Sequence, residues 1–309
     1  MDDENIRNMK NNFLKGFDQI ARKKIVFVDT NILTNFPNSD MLNSLLEGNV
    51  LNNFKFSRDS FNHLSEYFEG LSSYIKDYET IMTVPEVIDE SSRLVLIFRN
   101  KMKFLMKIGN MMGNQVITRS DTSISQEDIN FLYGFCRTSK QSLSLRIKIL
   151  EDRLLNFEGE YASFFDGSFF PRDSVRYGKY ELLKKLVNSL YNTYNHKGVQ
   201  IKLCADDALV AAAFLIMDNC NSPLAIVSND FGVLDRVGML NSMFYNLGKE
   251  VDEIYEKMNS IGISTYRFDK EGRSFVHQET ADGGLRYKLN GFYKEKQRFN
   301  LMVKEYVTV

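Results

Sequence analysis

At 309 residues, with 43% hydrophobic and 26% charged residues and a formal net charge of −1, the chain has the make-up of a globular protein with a sizeable core, for which disorder is not the default. Three cysteines, Cys136, Cys204 and Cys220, with no CxxC pair, argue against a disulfide framework or a zinc site and for a reducing setting. The acidic start Met1-Asp2-Asp3-Glu4-Asn5 lacks the order of a secretory signal and no apolar run approaches a membrane span, so a cytoplasmic protein without a membrane partner is expected.

Ile6, Met9, Phe13, Phe17 and Ile20, three or four residues apart, predict an amphipathic helix over 5–22. It leads into an apolar strand at about 24–29, ending Ile25-Val26-Phe27-Val28-Asp29. Thr30 to Leu33 opens a loop or helix that Asn35-Phe36-Pro37-Asn38-Ser39 breaks. Phe54 to Tyr78 has a helical pattern, and a second strand at roughly 80–84 meets Pro85, which favours the first turn of a helix starting Glu86-Val87-Ile88-Asp89-Glu90. Strand, turn and helix thus recur, as in α/β proteins.

Residues 91–112, 126–157 (after a start signal at Ser125) and 178–195 read as helices. Between the last two, Phe164 to Pro171 forms an aromatic-rich loop, which would either dock on the core or stack on bases. Ala205-Asp206-Asp207 then precedes a small-residue helix at about 208–219, followed by a strand at 224–228 and helices starting near Gly232 and running from Asn246 to Ser260. Past Ile263, Arg273–His277 and Leu285–Leu289 alternate around Asp282-Gly283-Gly284, the pattern of a hairpin appended to the main sheet.

Charge is uneven along this order. Residues 1–90 hold 9 basic and 15 acidic residues, 91–202 hold 18 and 10, and 203–309 hold 12 and 15. A basic middle between acidic flanks fits either a polyanion surface or solvated helix faces. Arg93, Arg99, Lys101, Lys103 and Lys107 share one helical stretch, and Arg137, Lys140, Arg146, Lys148 and Arg153 another. Arg172, Arg176, Lys179, Lys184 and Lys185 interleave with Phe169, Phe170, Tyr177 and Tyr180, the mixture of charge and rings that single-strand binding uses.

Four acids lie at the ends of apolar segments: Asp29, Glu90, Asp207 and Asp230. Taken singly, the aspartates are explained as helix caps or turn residues, and Glu86 as a first-turn acid on a helix dipole. If the strands are neighbours, however, the four carboxylates converge with no nearby Lys or Arg, an arrangement that hard cations relieve. Asn31 and Ser228 are candidates to hold these carboxylates by hydrogen bonds. His63, His196 and His277 match no ligand spacing. A receiver-like or phosphatase-like pocket would need Asp-x-Asp after the first strand, where Asp29-Thr30-Asn31 has Asn.

Val26-Phe27-Val28-Asp29-Thr30-Asn31-Ile32-Leu33, Ala205-Asp206-Asp207-Ala208-Leu209-Val210 and Ile226-Val227-Ser228-Asn229-Asp230 together resemble the PIN domain family of metal-dependent ribonucleases, and Pro85–Glu90 resembles the family's glutamate-bearing helix. The resemblance covers about 24–95 and 203–250. It implies a Rossmann-like three-layer α/β sandwich around a mostly parallel sheet, with a discontinuous core at 1–95 and 201–260, a large helical insertion at 96–200 and a β-rich extension with its hairpin at 261–309. It also implies an endoribonuclease that hydrolyses phosphodiester bonds in single-stranded RNA. Asp29, Glu90, Asp207 and Asp230 would be its catalytic residues and its ligands to Mg²⁺ or Mn²⁺, with Asp206 an alternate to Asp207, Glu86 a substitute for Glu90, and Asp235 standing in for the further acid that many members carry after the Asp230 position. Alternatives are a structure-specific DNA nuclease and a catalytically inactive PIN-like scaffold that binds nucleic acid or a protein. An inhibitory or recruiting protein partner stays open. The long stretch between Glu90 and Asp207 sets the chain apart from the small toxins of the family.

Overall fold

The computed structural model describes residues 3–22, 25–34, 40–47, 57–114, 116, 124–161, 179–195, 203–219, 224–248, 263–268, 272–281 and 284–286. The aromatic loop at 164–171, Arg172, Arg176 and the end of the helix expected over 246–260 lie outside them. The elements in order are α1 (Asp3–Ala21), β1 (Ile25–Val28), α2 (Thr30–Thr34), α3 (Asp40–Glu47), α4 (Arg58–Asp77), β2 (Ile81–Met82), α5 (Pro85–Gly113), α6 (Gln126–Tyr161), α7 (Lys179–Asn195), α8 (Ala205–Asn219), β3 (Leu224–Val227), α9 (Phe231–Gly248), β4 (Ile263–Phe268), β5 (Ser274–Ala281) and β6 (Gly284–Arg286).

The fold is α/β and mostly helical, on a sheet ordered β2-β1-β3-β4-β5-β6. The first four strands are parallel, with Val26 opposite Ile81 and Ala225, and Ala225 opposite Ser264. Their apolar runs are buried throughout β3 and from Val26 to Val28, as a parallel sheet covered by helices requires. The expected hairpin is β5–β6, with Thr280 opposite Leu285; it joins the sheet through an antiparallel β4–β5 pairing. β2 is shorter than its sequence pattern suggests. Thr83 leaves the ladder to donate its hydroxyl to Val28 O at 2.8 Å, and Pro85, which has no N–H, opens α5.

Local chemistry sets the helix starts. Ser57 Oγ accepts from Ser60 N at the head of α4. At the head of α6, Ser125 Oγ accepts from Asp128 N while Asp128 Oδ2 accepts from Ser125 N, a capping box. The expected boundary at 95/96 falls inside α5, which runs unbroken from Pro85 to Gly113. Helices of the basic middle join the same core: α6 packs on α4 and α5, and α7 on α8 and α9. The boundary at 260/261 likewise puts β4 in an extension, whereas β4 is the fourth parallel strand. No helix among the described residues is long and apolar enough to cross a membrane.

Candidate active site

In the parallel part of the sheet, β1 lies between β2, which follows it through helices, and β3, which arrives on its other side much later in the chain. The crevice beyond the carboxyl ends of β1 and β3 is therefore a topological switch point, where open α/β sheets place ligands. Asp29 is the first residue beyond β1, and Ser228-Asn229-Asp230 follow β3.

Asp29 is buried, and its backbone begins α2, with its carbonyl accepting from Ile32 N at 3.0 Å and Leu33 N at 3.2 Å. Its side chain does not complete an ordinary cap. Oδ1 accepts from Thr30 N at 2.6 Å, and Oδ2 accepts from Ser228 Oγ at 2.6 Å and from Asn31 Nδ2. Asn31 Oδ1 in turn accepts from Asn229 N at 3.1 Å, Ser228 Oγ accepts from Asp230 N at 2.9 Å, and Asn229 Oδ1 accepts from Phe268 N at 2.8 Å. The ends of β1, β3 and β4 are thus tied to one another around a single carboxylate.

Glu90, on the second turn of α5, accepts from Thr30 Oγ1 at 2.8 Å. Asp230 is exposed, and its Oδ1 accepts from Gly232 N at 2.7 Å. Burial pushes the Asp29 carboxyl up to about 6; the Ser228 and Thr30 hydrogen bonds lower it, and the charges of Asp230 and Glu90 raise it further.

The register at the start of α8 differs from the expected one. Asp207 is fully buried: Oδ1 accepts from Arg236 Nε at 2.7 Å, and Oδ2 accepts from Asn188 Nδ2 at 2.8 Å and Cys204 N at 3.0 Å. Its carboxylate is consumed as the helix cap and ion-pair partner, so it is corrected from candidate ligand to structural acid. Asp206 takes its place beside Asp29 and Asp230. Its side chain is 23% exposed, and burial pushes it up to about 7; Arg236 opposes the shift, while Asp29, Asp230 and Asp207 add to it.

The expectation of no nearby cation is also overturned. Arg236, itself buried, donates Nη1 to Asp206 Oδ2 at 3.1 Å as well as Nε to Asp207, and its guanidinium carbon lies 3.7 Å from the Tyr191 ring centroid. A methyl group built at Gly232 would stand 3.0 Å from Arg236 Nη1, 3.1 Å from Asp230 Oδ1 and 3.3 Å from the Tyr191 hydroxyl, which shows how closely these groups gather. Asp235 is half-buried one turn into α9; burial raises its pKa and so does Asp230, against the pull of Arg236.

Glu86 is drawn away from the other acids. It accepts from Lys184 Nζ at 2.8 Å and from the Tyr180 hydroxyl at 3.0 Å, and Lys184 also donates to Glu181 at 2.6 Å. Lys184 is therefore a buried ion-pair partner and not a surface contact for phosphate. Lys185 is exposed one residue on, and the Lys179 side chain lies outside the described residues. Arg146 is likewise buried, donating to Phe68 O at 3.1 Å, and the half-buried Arg153 donates to Ile81 O at 2.8 Å. Arg93, Arg99, Lys103, Lys107, Arg137 and Lys148 are exposed.

Among the described residues no three His, Cys, Asp or Glu side chains are close enough together to hold a metal ion as they stand. The donor chemistry nevertheless suits a hard cation. Glu90 Oε1, Asp206 Oδ1 and Asp230 Oδ2 receive no hydrogen bond from a described residue, and Asp29 Oδ1 receives only the one from Thr30 N, which leaves it a lone pair. Arg236, Tyr191 and Asn188 are the members of this site that spacing alone did not identify. Arg236 and Asn188 carry a signal in the sequence: one sits one turn into the helix that begins just after Asp230, the other one turn after Lys184. No family model, curated protein or solved structure matches the chain.

Proposed function

We propose that the chain is a metal-dependent endonuclease of PIN-like architecture that hydrolyses phosphodiester bonds in single-stranded RNA. The observation that carries this reading is the ring of acids about the switch point of the sheet: Asp29 feels the charges of Glu90 and Asp230, Asp206 those of Asp29 and Asp230, and burial pushes Asp29 and Asp206 up to about 6 and 7. Carboxylates whose charge is disfavoured by burial and by one another gain most from a cation placed between them, as oxygen ligands. When bound, Mg²⁺ or Mn²⁺ supplies a water of lowered pKa and positive charge for the leaving oxygen. The chain's own residues orient the donors: Ser228 and Asn31 fix the Asp29 carboxylate, Thr30 fixes Glu90, and Arg236 fixes Asp206. In this reading Glu90, one of whose oxygens is held by Thr30, either completes the ligand set or orders the attacking water.

The test is cleavage of single-stranded, hairpin and flap substrates, in RNA and DNA, with Mn²⁺, Mg²⁺ or EDTA. Asp230→Asn and Asp29→Asn are expected to abolish Mn²⁺-dependent cleavage while the proteins keep a cooperative melting transition; full EDTA-sensitive activity in both variants overturns the assignment. Cleavage confined to flaps would move the substrate to structured DNA. A second reading, a non-catalytic scaffold, has one observation in its favour: Arg236 already compensates two of the acids without a metal. Binding of nucleic acid or a protein with no cleavage in any arm would favour it.

A further inference from the structure

The residue after Asp230 is the exposed Phe231, the first residue of α9, with 53% of its surface open. The guanidinium carbon of Arg267, near the end of β4, lies over this ring, 4.8 Å from its centroid. The strand that carries Arg267 is fixed to the acid loop, because Ser228 N donates to Tyr266 O at 3.0 Å and Phe268 N donates to Asn229 Oδ1 at 2.8 Å. The ring and its cation thus border the acid loop where that loop meets β4.

Resting on the nuclease reading, we propose that Phe231 and Arg267 form a nucleobase seat that takes one base of a single strand whose adjoining phosphate lies at the acids. Phe231 directly follows Asp230, and the Arg267 over its ring sits on a strand hydrogen-bonded to the acid loop, so the ring borders that loop. A phenyl face stacks on any base, and a guanidinium beside it can itself lie against a base and offers charge to the backbone phosphate. Such a seat would favour unpaired strands, whose bases are free to splay, over duplexes. A protein partner fits less well, since one ring beside four carboxylates offers far less than the ~800 Å² a specific protein interface covers on each side.

The experiment uses the full chain with Mn²⁺ and a single-stranded RNA carrying one abasic nucleotide, moved stepwise along the strand. Phe231→Ala is expected to raise KM roughly tenfold with kcat within about twofold. One abasic position should cost the wild type the same, and the two changes together no more than either alone. Phe231→Trp should restore binding. A wild type that cleaves with no abasic position mattering, or additive losses in the combination, overturns the seat and leaves the nuclease reading in place. A wild type that cleaves no strand overturns both. A Phe231→Ala chain that keeps full strand affinity but loses a co-purifying protein overturns the seat in favour of a protein contact.

Discussion

Asp206 and Asp207 are adjacent in sequence and have opposite fates. Successive side chains on a helix point about 100° apart, so one aspartate turns toward Asp29 and Asp230 while the other turns into the core, where Arg236 meets it. Removing one partner of such a buried pair leaves the other charge stranded, which typically costs about 3–5 kcal/mol; this is reason enough for Asp207 to be kept whatever the protein does. The pKa shifts of Asp29 and Asp206 have a consequence for stability. Both lie above the ordinary value of 3.8, so the folded chain holds protons that the unfolded chain releases. That contribution is complete below about pH 4 and is lost as pH climbs through about 6 and 7. In metal-free buffer the wild type is expected to be less stable at pH 8 than at pH 5, and Asp206→Asn to shrink the difference by about 2–4 kcal/mol. Urea midpoints of both proteins at the two pH values check this, and an unchanged difference in the variant would refute it.

At the scale of elements, α7 is the connection that segment boundaries drawn from sequence conceal. Its face carries Lys184, Asn188 and Asn192 four residues apart, with Lys184 donating to Glu86 on α5 and Asn188 to Asp207 on α8. A helix expected to belong to an insertion therefore stands as one wall of the site. At the other edge, Gly272 precedes β5 with φ of +73°, and a methyl group there would lie 2.0 Å from the carbonyl oxygen of Met9 on α1. Both the left-handed backbone and the backbone contact exclude a side chain. Gly272→Ala is accordingly expected to destabilise the chain by about 2–4 kcal/mol, read as a lower urea midpoint without loss of secondary structure in the remaining folded fraction. The parallel strands with continuous apolar runs and the helix with a clean three-to-four spacing were legible in sequence, since burial on both faces or along one stripe writes itself into residue order. β4 was not, because Ser264, Thr265 and Arg267 interrupt its apolar letters while Ser264 and Thr265 are nonetheless buried.

For the molecule as a whole, the candidate site was legible as a set of acids but not as a charge balance. Asp29, Asn31, Ser228 and Asp230 meet because they occupy the ends of two neighbouring parallel strands, and neighbours are easily inferred from paired apolar runs. Arg236, Lys184 and Arg146 are ordinary surface letters in a sequence, and only packing shows that each is buried against an acid or a carbonyl. The basic middle of the chain is for that reason less of a polyanion surface than its count of charges suggests. The Asn229 bridge has a last consequence, in time rather than in space. Its side chain and backbone, with those of Asn31 and Ser228, lace three strand ends into a loop that is partly exposed yet cannot open at one point alone. The amides of Asn229, Asp230 and Phe268 are expected to exchange with deuterium slowly and at one common rate, as a single opening unit, and Asn229→Ala to quicken all three together while the amides of α6 are unchanged.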